Sequence, residues 1–106
     1  MSAGAYRVPV ILEQPVATQL PDGRASLVYA SAGTDFIEMT LLSLQEQALN
    51  ARLEGTATHR IKLRYRPDLT GGWRLKSNER VFRLLAVSDP DGRERELHCM
   101  AEEEGV

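Results

Sequence analysis

Ala57-Thr58-His59-Arg60-Ile61-Lys62-Leu63-Arg64-Tyr65-Arg66 is the most regular stretch of this 106-residue chain, and its reading decides the fold. One side of the alternation carries His59, Ile61, Leu63 and Tyr65; the other carries Thr58, Arg60, Lys62, Arg64 and Arg66. Successive side chains of an extended strand point to opposite faces, so a period of two means a half-buried strand with a basic outer face.

Downstream, the same grammar repeats. Pro67–Gly72 is rich in turn residues, Trp73–Lys76 is a short strand, and Ser77-Asn78-Glu79 turns the chain into the strand Arg80–Val87. Asp89-Pro90-Asp91-Gly92 is a turn, because Pro presets one backbone angle and Gly accepts the left-handed one. Arg93–Ala101 returns as the last strand, and 102–106 reads as an acidic, frayed C-terminal tail.

Upstream, Ser43 and Glu46 form a capping box that opens a helix over Leu44–Glu54. Leu44, Ala48 and Ala51 lie beside Leu49 and Leu53 at helical spacing, and Gly55 supplies the stop. This apolar face is expected to pack on a sheet. Asp35–Leu42 is a strand that alternates only in part, and Val8–Glu13 is an apolar, β-branched strand with Pro9 at its start. Residues 1–7 are expected to be an N-terminal tail. Residues 15–33 turn to Pro, Gly, Ala, Ser and Thr, with a Pro-Asp-Gly turn at Pro21–Gly23 and a weak strand at Leu27–Ala30. They are expected to form a long loop, with Leu20, Asp22, Arg24 and Tyr29 as candidate docking residues. About six strands, one short helix and no βαβ alternation predict a mainly β domain, a small antiparallel barrel or sandwich.

The charge is uneven along the chain. Between Ala57 and Arg95 lie 10 of the 13 Lys and Arg residues and five acids; the remainder carries three basic and ten acidic residues. Such polarity suits a subunit that meets a polyanion or packs head to tail on its own copies; solvated strand faces would give the same pattern. Met1–Tyr6 has no basic region followed by an apolar run, so no signal peptide is expected; no run comes near the roughly 18 apolar residues of a membrane span, so no membrane partner is expected and a cytosolic site of synthesis is.

The search for chemistry is largely negative. His59 falls on the apolar side of its strand and reads as a packed residue. His98 and Cys99 are neighbours pointing to opposite faces, which does not suit a nucleophile and its base. Cys99 alternates with Leu97 and Ala101 and reads as a buried small hydrophobe. The Glu102-Glu103-Glu104 run could hold a cation loosely, but acidic tails are more often solvated. No phosphate loop, nucleophile elbow or metal-ligand spacing is present, so neither an enzyme nor a cofactor is expected. Arg60, Lys62, Arg64 and Arg66 would stand about 6.6–7 Å apart along their strand, which fits following a phosphate backbone or pairing with an acidic protein. Trp73, Tyr65 and Phe82 read as core residues rather than as a stacking platform.

Taken together, Asp35-Phe36-Ile37-Glu38, the helix opening at Ser43-Leu44-Gln45-Glu46, the strand Thr58–Arg66, Trp73-Arg74-Leu75, Arg80–Leu84, Val87–Arg93 and Leu97-His98-Cys99 resemble the phage head–tail joining family. The resemblance covers about Val8 to Glu102, and one departure is Val28-Tyr29 where the family pattern has a Trp. It implies a single joining-type domain over residues 1–106: a virion protein without enzymatic activity, made in the host cytoplasm. It would form a homo-oligomeric ring around the DNA channel at the head–tail interface, as a head-closure stopper or connector in a tailed phage or gene transfer agent. Portal or adaptor proteins and tail proteins would be its partners, with non-specific contact to packaged DNA through Arg60, Lys62, Arg64 and Arg66. A tail-completion protein of the same particle and a small nucleic-acid-binding barrel outside any virion are the alternatives.

Overall fold

The computed structural model describes residues 6–53 and 56–104. Six strands form β1 (Val8–Gln19), β2 (Ala25–Leu41), β3 (His59–Arg64), β4 (Arg74–Ser77), β5 (Arg80–Ser88) and β6 (Glu96–Glu104), with one helix, α1 (Leu44–Leu53). Every pairing is antiparallel, and the order β1-β2-β3-β6-β5-β4 closes into a barrel. The closing seam is the short ladder Ile11–Glu13 against Arg74–Lys76. The expected barrel is therefore the fold, rather than a two-sheet sandwich.

Alternation fills the interior. Ile61 and Leu63 of β3 point inward with Val10, Leu12, Ile37, Leu75, Phe82, Leu84, Leu97, Cys99 and Ala101, and all are buried. Trp73 and Leu69 join this core from the turn before β4. His59 is buried as well, its ring edge-on to Phe82 at 5.1 Å between centroids. A barrel this small is filled by its own side chains, so α1 lies outside it.

That constraint corrects the reading of the helix. The capping box forms as expected: the Glu46 N–H donates to Ser43 Oγ and the Ser43 N–H to Glu46 Oε1, each at 3.1 Å. However, Leu44, Ala48 and Leu49 are exposed, so the apolar side of α1 does not cover the sheet. The helix is an excursion on the barrel rim, closed at its base where the Leu42 N–H donates to Thr58 O at 2.9 Å. The expected stop at Gly55 and the last residue of the expected span, Glu54, lie outside the described residues.

Two further expectations are overturned. Residues 15–33 are not a loop: β1 and β2 continue past the barrel as a hairpin paired from Glu13↔Ser31 to Gln19↔Ala25, with the turn at Leu20–Arg24. Most of this arm is solvated on both faces, so its strands never needed the apolar alternation that marks a half-buried strand. Glu102, Glu103 and Glu104 are likewise not a frayed tail. They are the end of β6, paired with Arg83, Phe82 and Val81 of β5. Residues 1–5 and 105–106 of the two expected tails lie outside the described residues.

The β5–β6 ladder shifts register between Leu84 and Ala86, leaving Leu85 as the extra residue of a bulge. The preceding turn docks against it. The Gly72 N–H donates to Leu84 O, and the Leu84 N–H to Trp73 O, both at 2.8 Å. Gly72 holds φ at +95°, and a Cβ on Gly71 would meet Leu85 O at 3.2 Å, so both positions suit glycine.

Candidate interface surfaces

The alternation of β3 places Arg60, Lys62 and Arg64 on the outside of the barrel, with Arg66 just beyond the strand end. The neighbouring strands bring acids and hydrogen-bonding groups to the same surface. Arg60 Nη2 lies 2.9 Å from Glu46 Oε2, so one carboxylate both caps α1 and pairs with β3. The backbone N–H of Ser43 and then the Arg60 guanidinium hold the Glu46 carboxyl below its ordinary pKa. Lys62 stands in register between Glu38 of β2 and His98 of β6.

Arg64 lies over the ring of Tyr6, 5.4 Å from its centroid. The Tyr6 hydroxyl donates to Glu96, which also meets His98 Nε2 at 2.9 Å. Burial and the hydrogen bond to Glu96 push the Tyr6 hydroxyl up to about 12. Burial alone would raise the Glu96 carboxyl, but the bonds from Tyr6 and His98 outweigh it and keep it below the usual range. Arg66 grips Asp68 through two nitrogens at 3.2 and 3.1 Å and lies over Trp73. The stretch from Ala57 to Arg95 is thus basic in sequence, while in the fold acids from β2, α1 and β6 sit among its cations.

A second charged surface escaped the sequence reading. Arg80 makes a two-pronged contact with Glu103 at 2.8 and 2.9 Å and covers the Phe82 ring. Arg83 Nη2 lies 2.6 Å from Glu102, and its Nε is 3.6 Å from Glu104. Arg74 meets Glu13 of β1 at 3.0 Å and Glu104 at 3.9 Å. The bonds from Thr56 and Arg83 to Glu102, and from Arg80 to Glu103, lower both carboxyls. The signal was present as Arg80 and Arg83 facing a triple Glu, but it becomes legible only once the β5–β6 register is fixed. Among the described residues no three His, Cys, Asp or Glu side chains gather as a metal site.

The candidate docking residues separate into two places. Leu20, Asp22 and Arg24 form the hairpin tip, where Arg24 Nε lies 2.6 Å from Asp22 Oδ2 and the Leu20 N–H donates to Arg24 O. Tyr29 sits lower on β2, where the Arg74 guanidinium lies over its ring. Exposed apolar residues accompany this arm and the rim: Val16, Leu27 and Val28 on the arm, Ile11 and Phe36 near its root, and Leu41, Leu44 and Leu49 by α1.

Residues 1–104 match the sequence model of a family described as phage head completion protein. No curated protein is a detectable sequence relative. Solved structures share the fold, among them the following two. A Shigella flexneri 2a protein known from a solution structure is 22% identical, covering 99% of this chain and 98% of its own, with a TM-score of 0.74. A chain from the virion of a native gene transfer agent particle is also 22% identical, covering 92% of this chain and 93% of its own, with a TM-score of 0.65.

Proposed function

The chain belongs to the phage head completion protein family, and we propose that it joins the DNA-filled head to the tail as a ring of identical subunits around the DNA channel. The observation that carries this reading is the family match across residues 1–104, rather than over an isolated motif. The gene transfer agent chain with the same fold supports a place in a phage-like particle.

The surfaces fit a part that works by contact. The barrel has a full core, while its arm and rim carry exposed apolar side chains. Portal or adaptor proteins on one side and tail proteins on the other are the partners of such a subunit. Arg60, Lys62, Arg64 and Arg66 are the candidate contacts for packaged DNA or for a neighbouring subunit. Since Arg60 and Arg66 are paired with Glu46 and Asp68, their contribution to a DNA channel would be a weak, non-specific lining.

Deletion of the gene from its native genome, followed by negative-stain microscopy of the particles, tests the reading. Filled or leaking heads beside free, complete tails are expected. Normal particles that still deliver DNA would overturn it.

A further inference from the structure

Both sheet edges of the arm are open over a long stretch. β1 meets β4 only over Ile11–Glu13, and β2 meets β3 only over Glu38–Leu41. Beyond those points, Gln14–Gln19 and Ala25–Ser31 pair with each other and with no third strand. Exposed strand edges are templates for pairing, and proteins that stay apart guard them with charges, prolines or bulges. Here the guard is thin. From Gln14 to Thr34 only Asp22 and Arg24 are charged, and they neutralise each other at the tip, in a chain that is 26% charged overall. Ala25–Ser31 holds no charge and no proline. Pro15 interrupts the β1 edge only at its root, leaving Val16–Gln19 open.

A two-stranded ribbon is marginal in water without a third strand or a covering surface. Val16, Leu27 and Val28 nevertheless stay exposed on it. A covering surface of matching chemistry is uncharged and strand-forming, and the arm of another copy supplies it. Arms that project in the same direction alternate β1, β2, β1, β2, so the strands that meet between neighbours are antiparallel. Pairing β2 of one copy with β1 of the next is heterologous and can propagate around a ring until no edge remains; β2 against β2 stops at two copies.

We propose that the arm is the self-association element: the β2 edge, Ala25–Val28, adds to the β1 edge, Val16–Gln19, of the next copy and so builds a continuous antiparallel sheet between subunits. This rests on the ring reading above and names its contact.

The test uses particles made with two co-expressed variants, Ala17→Cys and Leu27→Cys, each carrying a different epitope tag. Both positions are exposed, whereas the native Cys99 is buried, so each copy has one reactive thiol. A short bis-maleimide tolerates a register offset of a residue or two. The expected product is a covalent dimer carrying both tags, several-fold above either single-tag dimer. A dominant Leu27→Cys homodimer would overturn the proposal in favour of two-fold pairing. An adduct with a different particle protein, or no adduct in particles that contain the chain, would overturn it while leaving the proposed function intact. Particles that lack the chain altogether would overturn the proposed function and the arm contact with it.

Discussion

The guanidinium of Arg74 lies over the ring of Tyr29, 3.8 Å from its centroid, while its Nη2 lies 3.0 Å from Glu13 Oε1. One side chain of β4 thereby fastens both strands at the root of the arm. Arg74→Ala removes the stacking contact and leaves the half-buried Glu13 carboxylate without its partner. It should cost about 1–3 kcal/mol in urea unfolding. Amide exchange should also accelerate in Gln14–Gln19 more than in β3, and equal acceleration in both would contradict the fastening role.

Gly72 is expected to resist substitution. Its φ of +95° is rare for residues with a Cβ, and its N–H is committed to Leu84 O beside the bulge. Gly72→Ala should destabilise the barrel by about 1–3 kcal/mol. A denaturation midpoint within error of the parent would show that the turn relaxes freely.

His59 sets a pH dependence whose sign follows from its burial. Burial lowers its pKa, opposed by Glu103 and reinforced by Arg80. The unfolded chain therefore takes up this proton first as pH falls. The stability contributed by the neutral ring is present above the unfolded pKa of about 6.5 and is lost as pH drops through that value toward the lower folded pKa. The carboxylates lowered by their partners act only in more acidic solution. His59→Gln should flatten the dependence of stability on pH between about 7 and 5.5, and an unchanged slope would assign it to another group.

Cys99 should be silent toward thiol reagents in the native state. It is 1% exposed, and burial pushes its thiol up to about 12. Maleimide labelling of the folded protein should proceed at the rate of global or local opening, many-fold slower than in denaturant. Immediate stoichiometric labelling would mean that β6 detaches from the barrel.

The barrel was legible in the sequence wherever a strand has one wet and one dry face. Ile61 and Leu63, Leu97 and Cys99, and Leu75 and Phe82 all point where alternation places them. The arm was missed because a ribbon bathed on both sides has no reason to alternate. Its Pro-Asp-Gly turn and the weak strand at Leu27–Ala30 were the only signs of it. The acidic end of β6 was misjudged for a related reason: Glu102 and Glu104 read as solvated until register sets them beside Arg83 and Arg74. Helix α1 was placed correctly by its capping box, whereas the destination of its leucines depends on whether the barrel leaves space, which local pattern does not encode. The candidate surfaces were half legible. The basic row was read correctly as outward-facing, but its partners Glu46 and Tyr6 come from elements distant in sequence.

The closing seam also has a consequence in time. It joins Glu13 to Arg74, 61 positions apart, through a ladder of only three residue pairs. On a ribosome adding about 5–20 residues per second, β1 waits some 3–12 s after its own synthesis for β4, its partner in the seam. Non-local closure of this kind slows folding, and until it occurs β1 presents an open edge along its whole outer side. Nascent copies crowded on one polysome therefore run the risk of joining through β1 before each has closed on itself. Leu12 and Leu75, opposite each other in that seam, are where a faster or slower closing sequence would first show its effect on yield.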